Sequence, residues 1–86
     1  MKVRVSSVLF EYTGDRAVVE ARGSTLGAVL ADLDRRHPGL RFRVVDEQER
    51  IRQHMSVFVG GAFTRDLKAR VRADDEVCIL QALSGG

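Results

Sequence analysis

The last two residues, Gly85 and Gly86, are the part of this chain best suited to covalent chemistry. Because glycine has no side chain, a diglycine end can pass through a narrow channel and lie against another protein's backbone. At an average glycine usage of about 7%, two terminal glycines arise by chance in roughly one chain in 200. We therefore expect the carboxylate of Gly86 to be the reactive group, presented on a tail to an enzyme that modifies it.

The other nucleophiles and metal ligands are few, and their positions argue against catalysis. Cys78 lies in an apolar run without the basic neighbour or helix N-terminus that activates a thiol, so we interpret it as a packing residue. His37 and His54 lack the cysteine or acidic spacing of a zinc site. No glycine-rich phosphate loop precedes a helix. We expect no metal, no bound cofactor and no self-sufficient enzyme.

Composition predicts one small globular domain. The 86 residues are 44% hydrophobic and 30% charged, no apolar run approaches the about 20 residues of a membrane span, and the N-terminus lacks the pattern of a signal peptide. A single cysteine cannot form an internal disulfide, which favours a cytoplasmic location.

Arginines are concentrated in the middle of the chain, between residues 35 and 52. Carboxylates at Asp34, Asp46, Glu47 and Glu49 interleave with them, which favours a solvated face of mixed charge over a nucleic-acid surface. We expect neither nucleic acid nor membrane as a partner. Docking to an acidic protein remains an alternative.

The hydrophobic pattern predicts the order β-β-α-β-β-β. Alternation over residues 2–9, a turn at 13–15 and a strand over 17–21 indicate an opening hairpin. A helix follows, with Ser24 or Thr25 as its N-cap and Pro38-Gly39 as its stop. Its apolar stripe has helical spacing and consists of Leu26, Val29, Leu30 and Leu33.

The second half of the chain reads as strands and turns. Residues 40–54 look irregular, residues 55–59 and 62–64 form strands around a Gly60-Gly61 turn, and Val71 is a buried point. The last strand covers residues 76–80. We therefore predict a folded domain over residues 1–80 and a flexible tail over residues 81–86.

This order of elements, together with the final Ser84-Gly85-Gly86, resembles the ubiquitin-like sulfur carriers. That family includes the molybdopterin synthase small subunit, the thiamin sulfur carrier and the sulfur carrier of an alternative cysteine synthase. The resemblance implies an α+β fold of the β-grasp type, in which a mixed sheet of about five strands wraps around one main helix. The long stretch between helix and third strand is more similar to the cysteine-synthase type and to carriers of secondary metabolism than to the molybdopterin subunits.

The resemblance also implies a chemistry at Gly86. An ATP-dependent activating enzyme, an adenylyltransferase and sulfurtransferase of the ubiquitin-activating type, adenylates the carboxylate. A sulfur nucleophile then displaces AMP and leaves a thiocarboxylate, which donates sulfur to a downstream synthase. ATP belongs to the partner, which recognises Leu83, Ser84 and Gly85 in the tail.

Strand alternation places apolar residues on the sheet face away from the helix, where an apolar patch often marks a partner site. We assign Phe58 and Leu80, with Val8 or Phe10, to docking. The alternative is that the irregular 40–54 segment covers them.

Two further functions stay open on the sequence. The chain is either a sulfur carrier, or a protein modifier joined through Gly86 to a lysine of its target, or a plain β-grasp interaction module with an inert tail. The first two both begin with adenylation, so the sequence separates them poorly.

Overall fold

The computed structural model describes residues 1–81, which form one five-stranded sheet and three α-helices. The strands are β1 (Lys2–Val5), β2 (Val18–Glu20), β3 (Met55–Val59), β4 (Ala62–Thr64) and β5 (Val77–Gln81), and the helices are α1 (Phe10–Thr13), α2 (Leu26–Arg36) and α3 (Leu40–Val44). The strand order is β2-β1-β5-β3-β4, with β1 and β5 parallel and the other pairs antiparallel. This is the mixed sheet with one main helix that the resemblance implies.

Helix α2 confirms the strongest prediction from the sequence. Thr25 is the N-cap, and its hydroxyl oxygen accepts a hydrogen bond from the Ala28 N–H at 3.2 Å. The helix ends at Arg36, before Pro38. Its predicted apolar stripe is fully buried, at 0% exposure for Leu26, Val29, Leu30 and Leu33.

The core lies between α2 and one face of the sheet. Strand residues of alternating position point into it, so that each of the central strands contributes two buried side chains: Val3 and Val5 from β1, Met55 and Val57 from β3, Val77 and Ile79 from β5. The residues between them face the opposite side, called here the outer face.

The prediction of the opening hairpin is partly wrong. β1 and β2 do pair antiparallel, but β1 ends at Val5, and residues 7–9 form a 3-10 turn that leads into α1. The turn places Leu9 in the core at 0% exposure, on the side that period-two alternation with Val3 and Val5 also predicts, so the alternation alone does not distinguish this turn from a continued strand. Gly14, in the left-handed conformation with φ 65°, ends α1.

The segment over residues 40–54 is more ordered than the sequence indicates. Leu40 and Val44, one helical turn apart, are both buried and form the ends of α3, while Val45 and Ile51 are joined in a β-bridge. All four residues belong to the core cluster. The segment therefore packs into the core rather than over the outer face.

The second hairpin is as predicted. β3 and β4 have the predicted bounds, and Gly60 and Gly61 between them have φ of 57° and 86°, the conformation of a two-residue hairpin turn that glycine adopts without strain. Val71 is buried, as expected. β5 begins and ends one residue later than predicted, so Gln81 belongs to the sheet, and residues 82–86 of the predicted tail lie outside the described residues.

Candidate functional site

The last described residue of β5 lies five residues before the end of the chain and its diglycine. Gln81 is the last residue of β5, is exposed, and pairs with Met55 on β3. Five residues follow it in the sequence, and a fully extended segment of that length spans at most about 17 Å. The predicted reactive and tail-recognition residues, Leu83, Ser84, Gly85 and Gly86, all fall within these five and lie outside the described residues.

Two shallow depressions adjoin this point. The smaller, of about 50 Å³, is lined by Val8, Leu9, Arg43, His54, Met55 and Gln81. The larger, of about 250 Å³, is lined by Phe42, Arg43, Arg52 and His54. Because Arg43 and His54 line both, the two form one continuous surface that ends at Gln81. Sequence reasoning missed this cluster, since it depends on how α3 meets the segment just before β3, where Arg52 hydrogen-bonds to the carbonyls of Val44 and Phe42.

The outer face carries a row of side chains across the sheet that is apolar except for Arg4. The strand registers align one residue from each strand, in the order Val18, Arg4, Cys78, Phe58 and Phe63. The rings of Phe58 and Phe63 meet edge to face, with 5.5 Å between centroids. Leu80, next to the end of β5, is 37% exposed on the same face.

The structure brings together two of the four residues assigned to docking. Phe58 and Leu80 share the outer face, whereas Val8 and Phe10 lie in the connection between β1 and β2 and pack partly against the core. Val8 lies beside Gln81. Phe63, 54% exposed, was missed, although the two-residue turn after Phe58 and Val59 already places it opposite Phe58.

Cys78 has the environment of an unreactive thiol. It is half-buried, and its Sγ–H donates to Oε1 of Glu76 at 3.4 Å. Burial first, and then the hydrogen bond to this carboxylate, raises the pKa of the Cys78 thiol. The same carboxylate accepts from Nε of Arg4 at 3.3 Å, and the hydrogen bonds from Cys78 and Arg4 lower the pKa of Glu76. The structure thus agrees with a packing role for Cys78.

The histidines occupy unrelated places. Nδ1 of His37 donates to the Tyr12 carbonyl at 3.1 Å and ties the end of α2 to α1. His54 is exposed beside Arg43. Within residues 1–81, no group of three His, Cys, Asp or Glu side chains is arranged to hold a metal ion, and no helix is long and apolar enough to cross a membrane.

Comparison with known proteins places this geometry in a family. The model of the ThiS family matches residues 3–86. The sulfur carrier protein CysO of Mycobacterium tuberculosis is 30% identical over 89 residues, which cover 98% of this chain and 96% of the relative.

Solved structures give the same picture. The crystal structure of the Amycolatopsis orientalis BexX/CysO complex contains a chain with a TM-score of 0.90 and 32% identity, covering 99% of this chain and 98% of that one. Small archaeal modifier protein 1 of Haloferax volcanii has a TM-score of 0.77 and 27% identity, with 96% and 97% coverage. The neighbours confirm the β-grasp fold.

Proposed function

We propose that this chain, which belongs to the ThiS family, is a sulfur carrier whose Gly86 carboxylate is converted to a thiocarboxylate. One observation carries the proposal: the family match runs through Gly86, while the described sheet ends at Gln81, so the reactive residues directly follow β5. The 30% identity to sulfur carrier proteins supports it.

The proposed chemistry needs two displacements. A carboxylate oxygen of Gly86 attacks the α-phosphorus of ATP, forming an acyl-adenylate and releasing pyrophosphate. Hydrosulfide then attacks the acyl carbon, the bond from that carbon to the AMP oxygen breaks, and AMP leaves. Loss of the sulfur-bound proton to solvent gives the thiocarboxylate, with no change in the oxidation state of carbon or sulfur.

The chain contributes the carboxylate and the docking surface, and the partners contribute catalysis. The first partner is an ATP-dependent adenylyltransferase and sulfurtransferase of the ubiquitin-activating type, which holds the ATP. The second is a synthase that accepts the sulfur. Similarity to CysO proteins favours a cysteine-synthase-type or secondary-metabolite pathway over a molybdopterin pathway.

We assign docking to the outer face near the end of β5. Phe63 and Leu80 give it exposed apolar area, the half-buried Phe58 packs beside Phe63, and Leu80 is one residue from Gln81. A partner that takes the tail into its active site therefore reaches this face at the same time.

The test is ATP-dependent thiocarboxylate formation with the cognate activating enzyme and sulfide, followed by intact mass. We expect wild type to gain the mass of one sulfur in place of one oxygen, and deletion of Gly86 to abolish the gain, because the reactive carboxylate moves back by about 3.3 Å. Cys78→Ser is the matched control and should retain the gain.

Opposite results would identify a different carrier chemistry. If, with an enzyme persulfide as the sulfur source instead of sulfide, the Gly86 deletion still acquires sulfur and Cys78→Ser does not, the Cys78 thiolate has taken the outer sulfur of that persulfide, the donor has left as a thiolate, and the sulfur is held as a persulfide on Cys78. The intact mass of the protein from its native cell also shows whether Gly86 carries a free carboxylate before activation.

A second function is supported by the likeness to small archaeal modifier protein 1. In that case the activated Gly86 carbonyl is attacked by a lysine ε-amine of a target protein, AMP leaves, and an isopeptide bond forms. High-mass conjugates that carry this chain, and that disappear on deletion of Gly86, would establish this role.

A further inference from the structure

A basic surface lies beside the end of β5 and is defined by Phe42, Arg43, Arg52 and His54. Its geometry is held by Arg52. The Nε of Arg52 donates to the Phe42 carbonyl at 2.8 Å, and its Cζ lies 4.7 Å from the centroid of the Phe42 ring. The guanidinium and the ring therefore form one exposed unit, in which Phe42 is 57% exposed.

The positive charge of the basic surface is not neutralised by carboxylates within residues 1–81. Neither Arg43 nor Arg52 forms an ion pair there, and no acidic residue lines either depression. Other arginines of the same region do have carboxylate partners: Arg35 and Arg36 bind Asp32, and Arg41 binds Glu49. Arg43 and Arg52 are therefore the arginines without a carboxylate partner that line the surface reaching Gln81.

The position of these positive charges, beside Gln81, suits them to recognition by a partner that binds the tail. Arg43 and His54 line the depression that Gln81 also lines, so the basic surface reaches the last described residue of β5. An enzyme that draws residues 82–86 into its active site has only about 17 Å between Gln81 and the reactive carbonyl. The residues around the entrance to that active site must then lie next to the basic surface.

We propose that the basic surface docks against aspartates and glutamates on the rim of the active-site entrance of the activating enzyme. The inference rests on the proposed function and names the chemistry of its partner. Guanidinium groups bind carboxylates in two-point geometry, and an exposed aromatic ring is a common interface anchor. Opposite charges on the two rims would also guide the tail toward the entrance.

A nucleic acid fits the surface less well. The adjoining loop between Val45 and Ile51 carries Asp46 and Glu49, which would lie close to any phosphate backbone that ran beyond the basic surface. A protein rim needs to meet only the few positive groups next to Gln81.

The experiment measures KM and kcat for the carrier in the thiocarboxylate assay at low and high salt. Arg43→Glu reverses a charge that forms no ion pair within residues 1–81, and Arg43→Glu with Arg52→Glu reverses two such charges. The matched control, Arg70→Glu with Arg72→Glu, changes the net charge equally at two exposed arginines that line neither depression. Circular dichroism checks that each variant is folded.

We expect the Arg43 and Arg52 double variant to raise KM about tenfold at low salt with kcat unchanged, and the difference to shrink to about twofold in roughly 0.5 M NaCl. The control pair should stay within about twofold of wild type. A KM equal to that of the control pair overturns the docking proposal, provided that wild type is active. An inactive wild type instead contradicts the proposed function.

A second measurement separates the classes of partner. Binding of a labelled single-stranded DNA oligonucleotide that is lost in the double variant, with KM unaffected, would assign the basic surface to nucleic acid. A rise in KM that persists unchanged at high salt would also overturn the proposal, since contacts between charged rims are screened by salt.

Discussion

Asp32 shows how one side chain organises the exposed side of α2. Its carboxylate accepts hydrogen bonds from the guanidinium groups of Arg35 and Arg36, and from the backbone N–H of Arg22 at 2.8 Å. The hydrogen bond from Arg35, followed by that from Arg22, lowers the pKa of Asp32 from 3.8 to about 2. The carboxylate therefore joins the segment before α2 to the last turn of the helix.

This pKa predicts a specific dependence of stability on pH. Because the folded-state pKa is below the unfolded value, the charge of Asp32 stabilises the fold above about pH 4, and the contribution is lost as pH falls toward 2. Asp32→Asn should lower the urea midpoint of unfolding at pH 7. The difference in urea midpoint between this variant and wild type should disappear near pH 2. Asp74→Asn, at an exposed carboxylate, is the control. A gap that stays constant over this pH range would contradict the prediction.

Helix α2 carries the largest share of side chains packed beneath the sheet. Leu30 is 0% exposed in the middle of its stripe, and the core it enters also contains residues of β1, β3 and β5. Truncation of a fully buried leucine removes its transfer free energy and leaves a cavity.

We predict that Leu30→Ala lowers the free energy of unfolding by about 2–5 kcal/mol, a large share of the stability of an 86-residue domain. Ala31→Ser, at the exposed neighbouring position, should change it by less than about 1 kcal/mol. Chemical denaturation of both variants tests this. Equal effects at the two positions would contradict the assignment of the buried face.

The elements that the sequence predicts correctly are those with strong local signals. A cap, a four-residue apolar stripe and a proline specify α2, and a diglycine turn specifies the hairpin of β3 and β4. The alternation over residues 2–9 is misleading, because Leu9 reaches the core through a 3-10 turn that period-two reasoning does not contain. α3 is too short for its helical period to stand out.

The candidate site also contains residues that local sequence signals predict and residues that only the folded structure brings together. Residue type alone predicts Gly86 and Gly85 as reactive and recognition residues, and these predictions lie outside the described residues; it also predicts no activated thiol at Cys78, and burial and the hydrogen bond to Glu76 raise the pKa of that thiol. The basic surface depends on tertiary packing, since Phe42 and Arg43 on α3 meet Arg52 and His54 only when the segment before β3 bonds to α3. Pattern reasoning places Phe58 and Leu80 on one face but does not place Val8 beside Gln81.

The whole molecule has three surfaces that differ in chemical character. The inner face of the sheet binds α2 and provides stability, the outer face exposes Phe63 and Leu80, and the basic surface lies beside the end of β5. The outer face and the basic surface converge on Gln81, because Leu80 precedes it and Arg43 lies beside it. A small carrier can thus offer two kinds of contact around one departing segment.

The two contacts should be distinguishable by their response to salt. Leu80 and Val18 are both 37% exposed on the outer face, but Leu80 adjoins Gln81 whereas Val18 lies on the edge strand β2. We predict that Leu80→Ser raises KM for the activating enzyme about five- to thirtyfold, the effect of losing about 1–2 kcal/mol of apolar burial, and equally at low and high salt. Val18→Ser should have a much smaller effect, because it is separated from β5 by β1. Equal effects of the two substitutions would mean that the partner covers the whole outer face. If the effect of Leu80→Ser on KM disappears at high salt, burial of apolar area does not drive this contact.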